Sequence, residues 1–238
     1  MKKLMKNVSV DKQHNRKQQT MEERLNAIRA GILGSNDGIL TVVGVVFSVA
    51  AATTNRLVIV IAALSDLLAC ALSMGSGEFA AVSSQSDSDR VTVDREAAIL
   101  KEDFNDQVTI VEDYYRDRGV AQNTANAIAQ ELLAEKPLAT VLTVKHDLTL
   151  DHYVSPISAA FASTFSAALG GAFPLAALLL APMQYEYLAA ILATVVAVSL
   201  TGLISALLSR GMVQRAVIRN IVIGLLTIAV HFTIGKLF

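Results

Sequence analysis

The sequence predicts an all-α membrane protein with five transmembrane helices and a cytosolic helical insert between the second and third spans. The chain has 238 residues, of which 53% are hydrophobic, and its mean hydropathy of +0.48 is too high for an ordinary soluble domain. The charges are also segregated, because residues 154–184 and 187–209 contain no Asp, Glu, Lys or Arg. A helix needs about 20 apolar residues to cross the hydrocarbon core, and both stretches exceed that length.

The same criterion gives three further spans, at residues 38–55, 57–84 and 220–235. The first extends back to Gly31 if Asp37 is accepted inside it, and the second is interrupted only by Asp66 and Glu78. We therefore divide the chain into a basic tail (1–30), spans one and two (31–84), a helical domain (85–155) and spans three to five (156–238).

Lys and Arg predict how the spans are oriented, because cytosolic loops carry an excess of them. Eight lie in residues 1–30, seven lie in the insert and three follow the fourth span. The opposite side carries only Arg56 and Lys236. We therefore expect an integral membrane protein whose N-terminus and insert lie in the cytosol.

The insert is expected to form a small helical domain. Residues 95–118 contain no Gly or Pro and predict one helix, which Gly119 would end in the usual glycine role. Asn123 is placed to cap a second helix that runs through Glu135, and a third short helix covers residues 138–148. The acidic surface of this domain fits either a solvated bundle or a site that collects cations.

The first span opens with GILGSNDGILTVVGVV, in which Gly34 and Gly38 form a GxxxG pair. This pattern is found where membrane helices pack closely, and Asp37 lies beside it. If two copies met across a twofold axis here, two Asp37 carboxylates would approach each other and need a shared proton or a cation. Alternatively, Asp37 lies near the helix start and accepts backbone N–H groups.

The second span carries Asp66, Cys70, Met74 and Glu78 at a spacing of four residues. Each step drifts about 40° around the helix, so these side chains form one slowly winding stripe. Neither this span nor the third or fourth contains a basic residue to pair with the acids. Carboxylates in a bilayer are expensive and usually functional; alone they suit Mg, Ca or Mn, and an added thioether favours softer transition metals. Met74 and Cys70 each have a simpler interpretation as packing residues.

These two spans resemble the vacuolar iron transporter (VIT) family. GSNDGILTVVGVV followed by LSDLLACALSMGSGEFAAVSSQ is similar to the family signature, as are ISAAFASTFSAALGGAFPL and the ending TIGKLF. The resemblance covers nearly all of the chain from about Arg29. It implies a five-span homodimer with a cytosolic metal-binding domain, which exports ferrous iron or Mn(II) from the cytosol by proton antiport. The implied location is the cell membrane in a prokaryote and the vacuolar membrane in a eukaryote.

The resemblance also implies roles for four residues of the spans. Asp37 matches the first-span carboxylate of the ion pathway, and Met74 matches the methionine of the SMG motif. Glu78 matches the acid that follows this motif in many members, and Asp66 stands where Glu is common. No family role is assigned to Cys70.

The cytosolic domain departs from the family pattern, which places E-x-x-E pairs on its first two helices. Glu96 is retained, but Ile99 stands at its partner position, and the second pair falls on Gln107 and Ile110. Asp147 stands where Glu is usual. The remaining candidate cytosolic ligands are Glu102, Asp106 and Glu112.

His231 lies in the last span and is either a packing residue or a proton relay, since histidine titrates near neutral pH. The sequence contains no HExxH or GxSxG motif and no Ser–His–Asp set, so we do not expect an enzyme. We expect no permanently bound cofactor and no nucleic-acid partner. The partners are divalent metal ions, protons, the lipid bilayer and a second copy. The alternative function is a non-transporting membrane protein that senses metal or acts as a scaffold.

Overall fold

The computed structural model describes residues 2–150 and 153–237, with side chains described from residue 25 onward. Every regular element in this part of the chain is helical, which confirms the all-α fold. The α-helices are α1 (Lys2–Ala52), α2 (Arg56–Glu102), α3 (Phe104–Arg116), α4 (Gln122–Glu135), α5 (Pro137–His146), α6 (Pro156–Leu180), α7 (Glu186–Leu208) and α8 (Val213–Leu237). A 3₁₀ turn at Met183–Tyr185 precedes α7.

Five of these helices are long and apolar enough to cross a membrane, as predicted. The five segments are Leu25–Ala52, Arg56–Glu102, Pro156–Leu180, Met183–Leu208 and Val213–Leu237. The 47 residues of α2 extend for about 70 Å, more than twice the thickness of the hydrocarbon core. Only the apolar first part of α2 is therefore needed to span the bilayer, which agrees with a span that ends near Ser84.

The chain forms two compact units. The first contains the residues up to Val82 and those from Ser155 onward, and the second contains residues 83–154. Within the first unit α1 is the central helix, because it packs against α6, α7 and α8. Its buried core includes Val42, Val46 and Leu178.

The glycine pair of α1 packs inside the chain. A Cβ atom on Gly34 would collide with the carbonyl oxygen of Ser163, and one on Gly38 would collide with that of Ala167, both on α6. Gly170 on α6 approaches α1 equally closely. Small residues let membrane helices touch backbone to backbone. The twofold contact considered for this pair is therefore not available, because α6 occupies its surface; the homodimer itself stays a prediction.

The second unit contains the end of α2 together with α3, α4 and α5. Its buried core is formed by Val111, Ala129, Leu133 and Val141. These four residues come from α3, α4 and α5, so all three short helices share one core.

The helix predicted at residues 95–118 is interrupted at Asp103. Its carboxylate accepts a hydrogen bond from the backbone N–H of Asp106 and so begins α3 as an N-cap. Aspartate competes with the helix for backbone N–H groups, which is why the acidic stretch breaks there. Gly119, with φ +88°, lies in the turn that follows α3, as predicted.

The other two helices of the insert differ slightly from the prediction. Ala121 precedes α4 and makes no side-chain cap, so the predicted cap Asn123 lies within the first turn instead. The third helix ends two residues early, because Asp147 adopts a left-handed conformation with φ 54° and stops α5.

Candidate ion pathway between the first two spans

Side chains of α1 meet those of α2 in regularly spaced pairs. The pairs are Thr41 with Asp66, Asp37 with Cys70, and Arg29 with Glu78. From the first pair to the second, the residue number falls by four on α1 and rises by four on α2. From the second pair to the third, both change by eight. Residues four apart share a helix face. The stripe predicted on α2 therefore lies along a matching stripe of α1, and we call this line of pairs the α1–α2 seam.

Cys70 acquires a partner that the sequence did not indicate. Its Sγ lies 3.3 Å from Oδ2 of Asp37, and the thiol is buried while Asp37 is half-buried. A thiol is a weak hydrogen-bond donor, so this contact orients the Asp37 carboxylate. It also places a sulfur atom and a carboxylate side by side within the membrane span.

Asp66 presents a carboxylate oxygen that lacks a partner. Thr41 is the nearest hydroxyl donor to both Asp66 and Cys70, but its geometry falls short of a hydrogen bond. The hydroxyl oxygen of Thr41 and Oδ2 of Asp66 are both buried with no hydrogen bond to any described residue. A buried polar atom left unpaired costs about 1–3 kcal/mol, and such an atom needs an explanation in a native structure. A proton or a cation would satisfy this oxygen.

His231 lies close to this part of the seam. Its ring packs on Gly44, where any Cβ atom would meet the imidazole, and Gly44 lies three residues along α1 from Thr41. Nδ1 lies 2.9 Å from the carbonyl oxygen of Thr227; since a carbonyl only accepts, Nδ1 carries the proton of this hydrogen bond. The sequence could not place His231 here, although the small residue at Gly44 is a signal of a close approach.

Glu78 has a counter-ion after all. Arg29 Nη2 lies 3.4 Å from Oε1 of Glu78, and the Glu78 side chain is 10% exposed while that of Arg29 is 68% exposed. The expectation that both acids of the second span lack a basic partner is therefore wrong for Glu78, because the partner comes from the tail side of α1. An ion pair with one exposed member contributes at most about 1 kcal/mol, so a stronger cation can displace Arg29.

Met74 is half-buried and packs beside Cys70, Ala71 and Ala167. Its thioether therefore lies on the seam between Glu78 and Cys70, with apolar neighbours. This environment fits either a packing residue or a soft ligand.

The predicted cytosolic ligand Glu96 is already bound by cations of the chain. It is 3% exposed, with Lys145 Nζ 2.6 Å from Oε2 and His146 Nε2 2.8 Å from Oε1. Lys145 Nζ also lies 3.4 Å from Oε1 of the buried Gln107. Burial opposes ionisation of Glu96, but the hydrogen bonds from Lys145 and His146 outweigh it and hold its pKa below the usual value. Glu96 and Gln107, the first positions of the two predicted acidic pairs, thus converge on one internal ammonium group.

The other cytosolic candidates are dispersed. Glu102, Asp106 and Asp147 are exposed, and Glu112 accepts a 2.7 Å hydrogen bond from Nδ2 of Asn126. Among the side chains described, those of residues 25–150 and 153–237, no group of three or more His, Cys, Asp or Glu is arranged to hold a metal ion. The structure therefore aligns the membrane candidates in pairs along the seam and does not gather the cytosolic ones.

Comparison with known proteins places this arrangement in a family. The sequence model of the VIT family matches residues 28–236, a range that includes every residue of the seam. The chain belongs to the VIT family. The family recognised from the first two spans is thereby confirmed.

Individual relatives of the VIT family are moderately similar. The chain is 35% identical over 111 residues to a "Vacuolar iron transporter" of Acanthamoeba castellanii, which covers 47% of this chain and 40% of that protein. It is 29% identical over 216 residues to "Vacuolar iron transporter homolog 1" of Oryza sativa subsp. japonica, which covers 90% and 75% of the two chains. "Vacuolar iron transporter homolog 3" of Arabidopsis thaliana is 27% identical over 219 residues, covering 90% and 84%. The match to the amoebal protein thus spans two fifths of its length.

Proposed function

We propose that this VIT-family protein carries ferrous iron or Mn(II) across the membrane and out of the cytosol, in exchange for protons. One observation carries the proposal: the buried, unpartnered Oδ2 of Asp66 lies in line with the Asp37–Cys70 pair on the seam between two spans. Ionisable groups inside a membrane mark ion pathways. The relatives are named as a vacuolar iron transporter or as homologs of one, and these names support iron as the cargo.

Metal enters at Glu78. The exposed guanidinium of Arg29 holds this carboxylate loosely, and a divalent ion exceeds it in charge density. Displacement of Arg29 transfers the ion to an almost fully buried carboxylate, where attraction is stronger than in water. Arg29 thus acts as a replaceable counter-ion at the cytosolic end of the seam.

The next groups along the seam are Met74 and the Asp37–Cys70 pair. A thioether, a carboxylate and a sulfur atom in succession favour Fe(II) and Mn(II) over a purely hard cation such as Mg²⁺. Each group offers few ligands by itself, so the ion is held weakly enough to move on.

Proton exchange takes place at Asp66. Metal ligands must be deprotonated, so metal binding releases a proton, and a carboxylate holds either a proton or a metal ion. Nε2 of His231 relays the released proton to the cytosolic side, and when the metal leaves on the opposite side a proton from that side takes its place on Asp66. A proton gradient therefore drives the metal in one direction.

A homodimer would complete the ligand set. Within one chain the described residues supply no three-ligand group, whereas a second copy would bring its own Asp37 and Met74 to a shared pathway. The contact would use a surface other than the Gly34–Gly38 pair, since α6 covers that surface.

The decisive experiment is metal flux in proteoliposomes that also contain a pH-sensitive dye. We expect uptake of Fe(II) and Mn(II), and weaker uptake of Mg(II), with proton movement in the opposite direction. The uptake rates of Co(II) and Zn(II), compared with those of the other ions, show whether the site prefers softer metals. Specific metal binding without flux would overturn the transport proposal and support the sensor or scaffold. Metal flux without proton movement would overturn only the coupling.

A further inference from the structure

A cavity with a basic lining lies between α1, the end of α7 and the start of α8. It has a volume of about 470 Å³, and its lining includes Arg29 and Arg219, while none of the described residues that line it is acidic. Arg29 also pairs with Glu78, so Arg219 supplies the positive charge that is not already paired among the described residues.

The cavity lies at a membrane boundary. α7 ends at Leu208 and α8 starts at Val213, so the end of α7 and the start of α8 lie at one membrane face. Arg219 lies six residues, or about 9 Å, inside α8, and Arg29 of α1 lines the same cavity. That depth corresponds to the headgroup region of a bilayer.

An apolar groove continues from the cavity into the membrane. A second hollow of about 410 Å³ between α1, α6 and α7 shares Ile28 and Ile32 with the cavity. A third, of about 190 Å³, shares Leu169 and Ile204 with the second and extends to Ile39. The 11 residues from Ile28 to Ile39 correspond to about 16 Å along α1. This is half of the 30 Å hydrocarbon core, the reach of one acyl chain.

We propose that this site binds an anionic phospholipid from the leaflet on the N-terminal side of the protein. The phosphate lies between Arg29 and Arg219, and one acyl chain follows the groove between α1, α6 and α7. The charge of the lining favours an acidic headgroup over a zwitterionic one, and the groove requires a chain that a free phosphate lacks. The bound lipid would fill the space between α1 and α7, beside the seam but outside it.

Arg219 is the residue on which the test is based. Arg29 already pairs with Glu78, whereas no carboxylate among the described residues pairs with Arg219. Arginine near a membrane surface contributes about 1 kcal/mol of attraction to acidic lipid, which is about fivefold in affinity. Arg210 is exposed in the turn between α7 and α8 and lies outside the lining of the cavity and of the hollows beside it, so it is the control.

The test is native mass spectrometry of the full chain after incubation with equal amounts of phosphatidylglycerol and phosphatidylcholine that carry identical acyl chains. We expect the wild-type protein to retain the acidic lipid at least about fivefold more often. Arg219→Gln should lower this preference about fivefold, and Arg210→Gln should change it by less than about twofold. Excess glycerol phosphate should not displace the lipid. Equal retention of the two lipids, equal effects of the two variants or displacement by glycerol phosphate would overturn the proposal.

A second pair of variants tests the groove. Leu169 lines the groove, and Leu192 does not; both side chains are 57% exposed. Leu169→Trp should fill the groove and lower retention of lipid several-fold, whereas Leu192→Trp should not. Equal retention by the two variants, or a lipid-free dimer as the main wild-type species, would contradict the assignment. Monodisperse elution of each variant establishes that it is folded.

Discussion

Two carboxylates of this chain are held away from water in opposite ways. In the membrane unit, Oδ2 of Asp66 is buried without a hydrogen-bond partner among the described residues. In the second unit, both oxygens of Glu96 are bound by the cationic or titratable groups of Lys145 and His146. The comparison teaches that acidity alone does not identify a metal site. An acid that already holds an internal cation gains little from a metal ion, while an unpartnered one gains a great deal.

The same comparison bears on the two interpretations of the insert. Because Lys145 stands between Glu96 and Gln107, its ammonium group occupies the place where a shared cation would be expected. We infer that Glu96 and Gln107 are satisfied by a charge of the chain itself, within a unit whose core is apolar. The interpretation as a solvated bundle is therefore favoured over that of a cation-collecting site.

The largest expected effect is that of Asp66→Asn. This change keeps the shape of the side chain, removes the charge and abolishes the proton site, so flux of every divalent ion should fall at least about 100-fold, or about 2.7 kcal/mol in barrier terms. Folding should be unaffected, because a neutral amide is cheaper to bury than an ion. Uptake by proteoliposomes is the measurement. Asp87→Asn, an exposed change on the same helix, is the control, and near-normal flux in a monodisperse Asp66→Asn protein would refute the mechanism.

Lys145→Met should destabilise the second unit. It leaves the buried Glu96 without its ammonium partner, which costs about 1–3 kcal/mol once the partial exposure of Lys145 is allowed for. Hydrogen exchange of the full chain should show lost protection in α3 and α5, and adding Glu96→Gln should restore most of it. Lys101→Met, an exposed change near the end of α2, should have no effect. Flux should fall less than tenfold in Lys145→Met; a complete loss would show that this unit is essential for transport.

Met74→Leu should change selectivity. The swap conserves volume and usually costs under about 1.5 kcal/mol in stability, but it removes the thioether. Fe(II) flux should therefore fall about tenfold and Mn(II) flux less than about threefold, since the softer ion depends more on sulfur. Met212→Leu, at an exposed position, is the control. An equal loss for both metals would remove the role of Met74 in selectivity and leave the pathway intact.

Arg29→Gln should have a small effect and, unlike the variants above, should improve the apparent affinity for metal. Without the guanidinium, Glu78 has no counter-ion that the metal must displace. The apparent KM for metal should therefore fall by up to about fivefold, which corresponds to the roughly 1 kcal/mol of an exposed ion pair. Arg29→Lys keeps the charge and should retain most of the wild-type KM. An increase in KM for Arg29→Gln would mean that Arg29 positions the groups that bind the metal instead of competing with the metal.

The effect of pH on the stability of the second unit should be the smallest of the effects predicted here. Because the folded-state pKa of Glu96 is lowered, its contribution to stability is fully present above the unfolded value of about 4.3. It is lost as the pH falls through the lower folded-state pKa. Hydrogen-exchange protection of α5 in the wild type and in Glu96→Gln should therefore converge in acid. A difference between them that stays constant down to about pH 2 would contradict the ion-pair assignment.

The fold was predictable because charge-free runs in a membrane protein leave few alternatives to spanning helices. The five spans and the helical insert follow from such runs, whereas the break at Asp103 depends on one side chain capping a helix. The stripe on α2 follows from spacing, but its partners on α1 require the register between two helices. One contact, Asp37 with Cys70, would have fixed that register and revealed the pairing of Arg29 with Glu78.

Other features of the site depend on contacts between distant parts of the chain. Lys145 reaches Glu96 only because α5 folds back beside the end of α2 within the second unit. The choice of α6 as the partner of the Gly34–Gly38 surface is equally invisible in a single sequence, since GxxxG marks close packing without naming the partner. Local patterns thus predicted which surfaces are special, and the tertiary contacts decided what each one binds.

The equal spacing of the groups along the α1–α2 seam has a mechanical consequence. On α2 the groups of the seam recur every four residues. A slide of one helix past the other by four residues, which is close to one helical turn of about 5.4 Å, would therefore again set groups of α1 opposite groups of α2. A slide in one direction would set Asp37 opposite Asp66, and a slide in the other would set it opposite Met74. A translation of α1 by one interval would therefore replace the observed oxygen–sulfur site of Asp37 and Cys70 with a two-carboxylate site of Asp37 and Asp66.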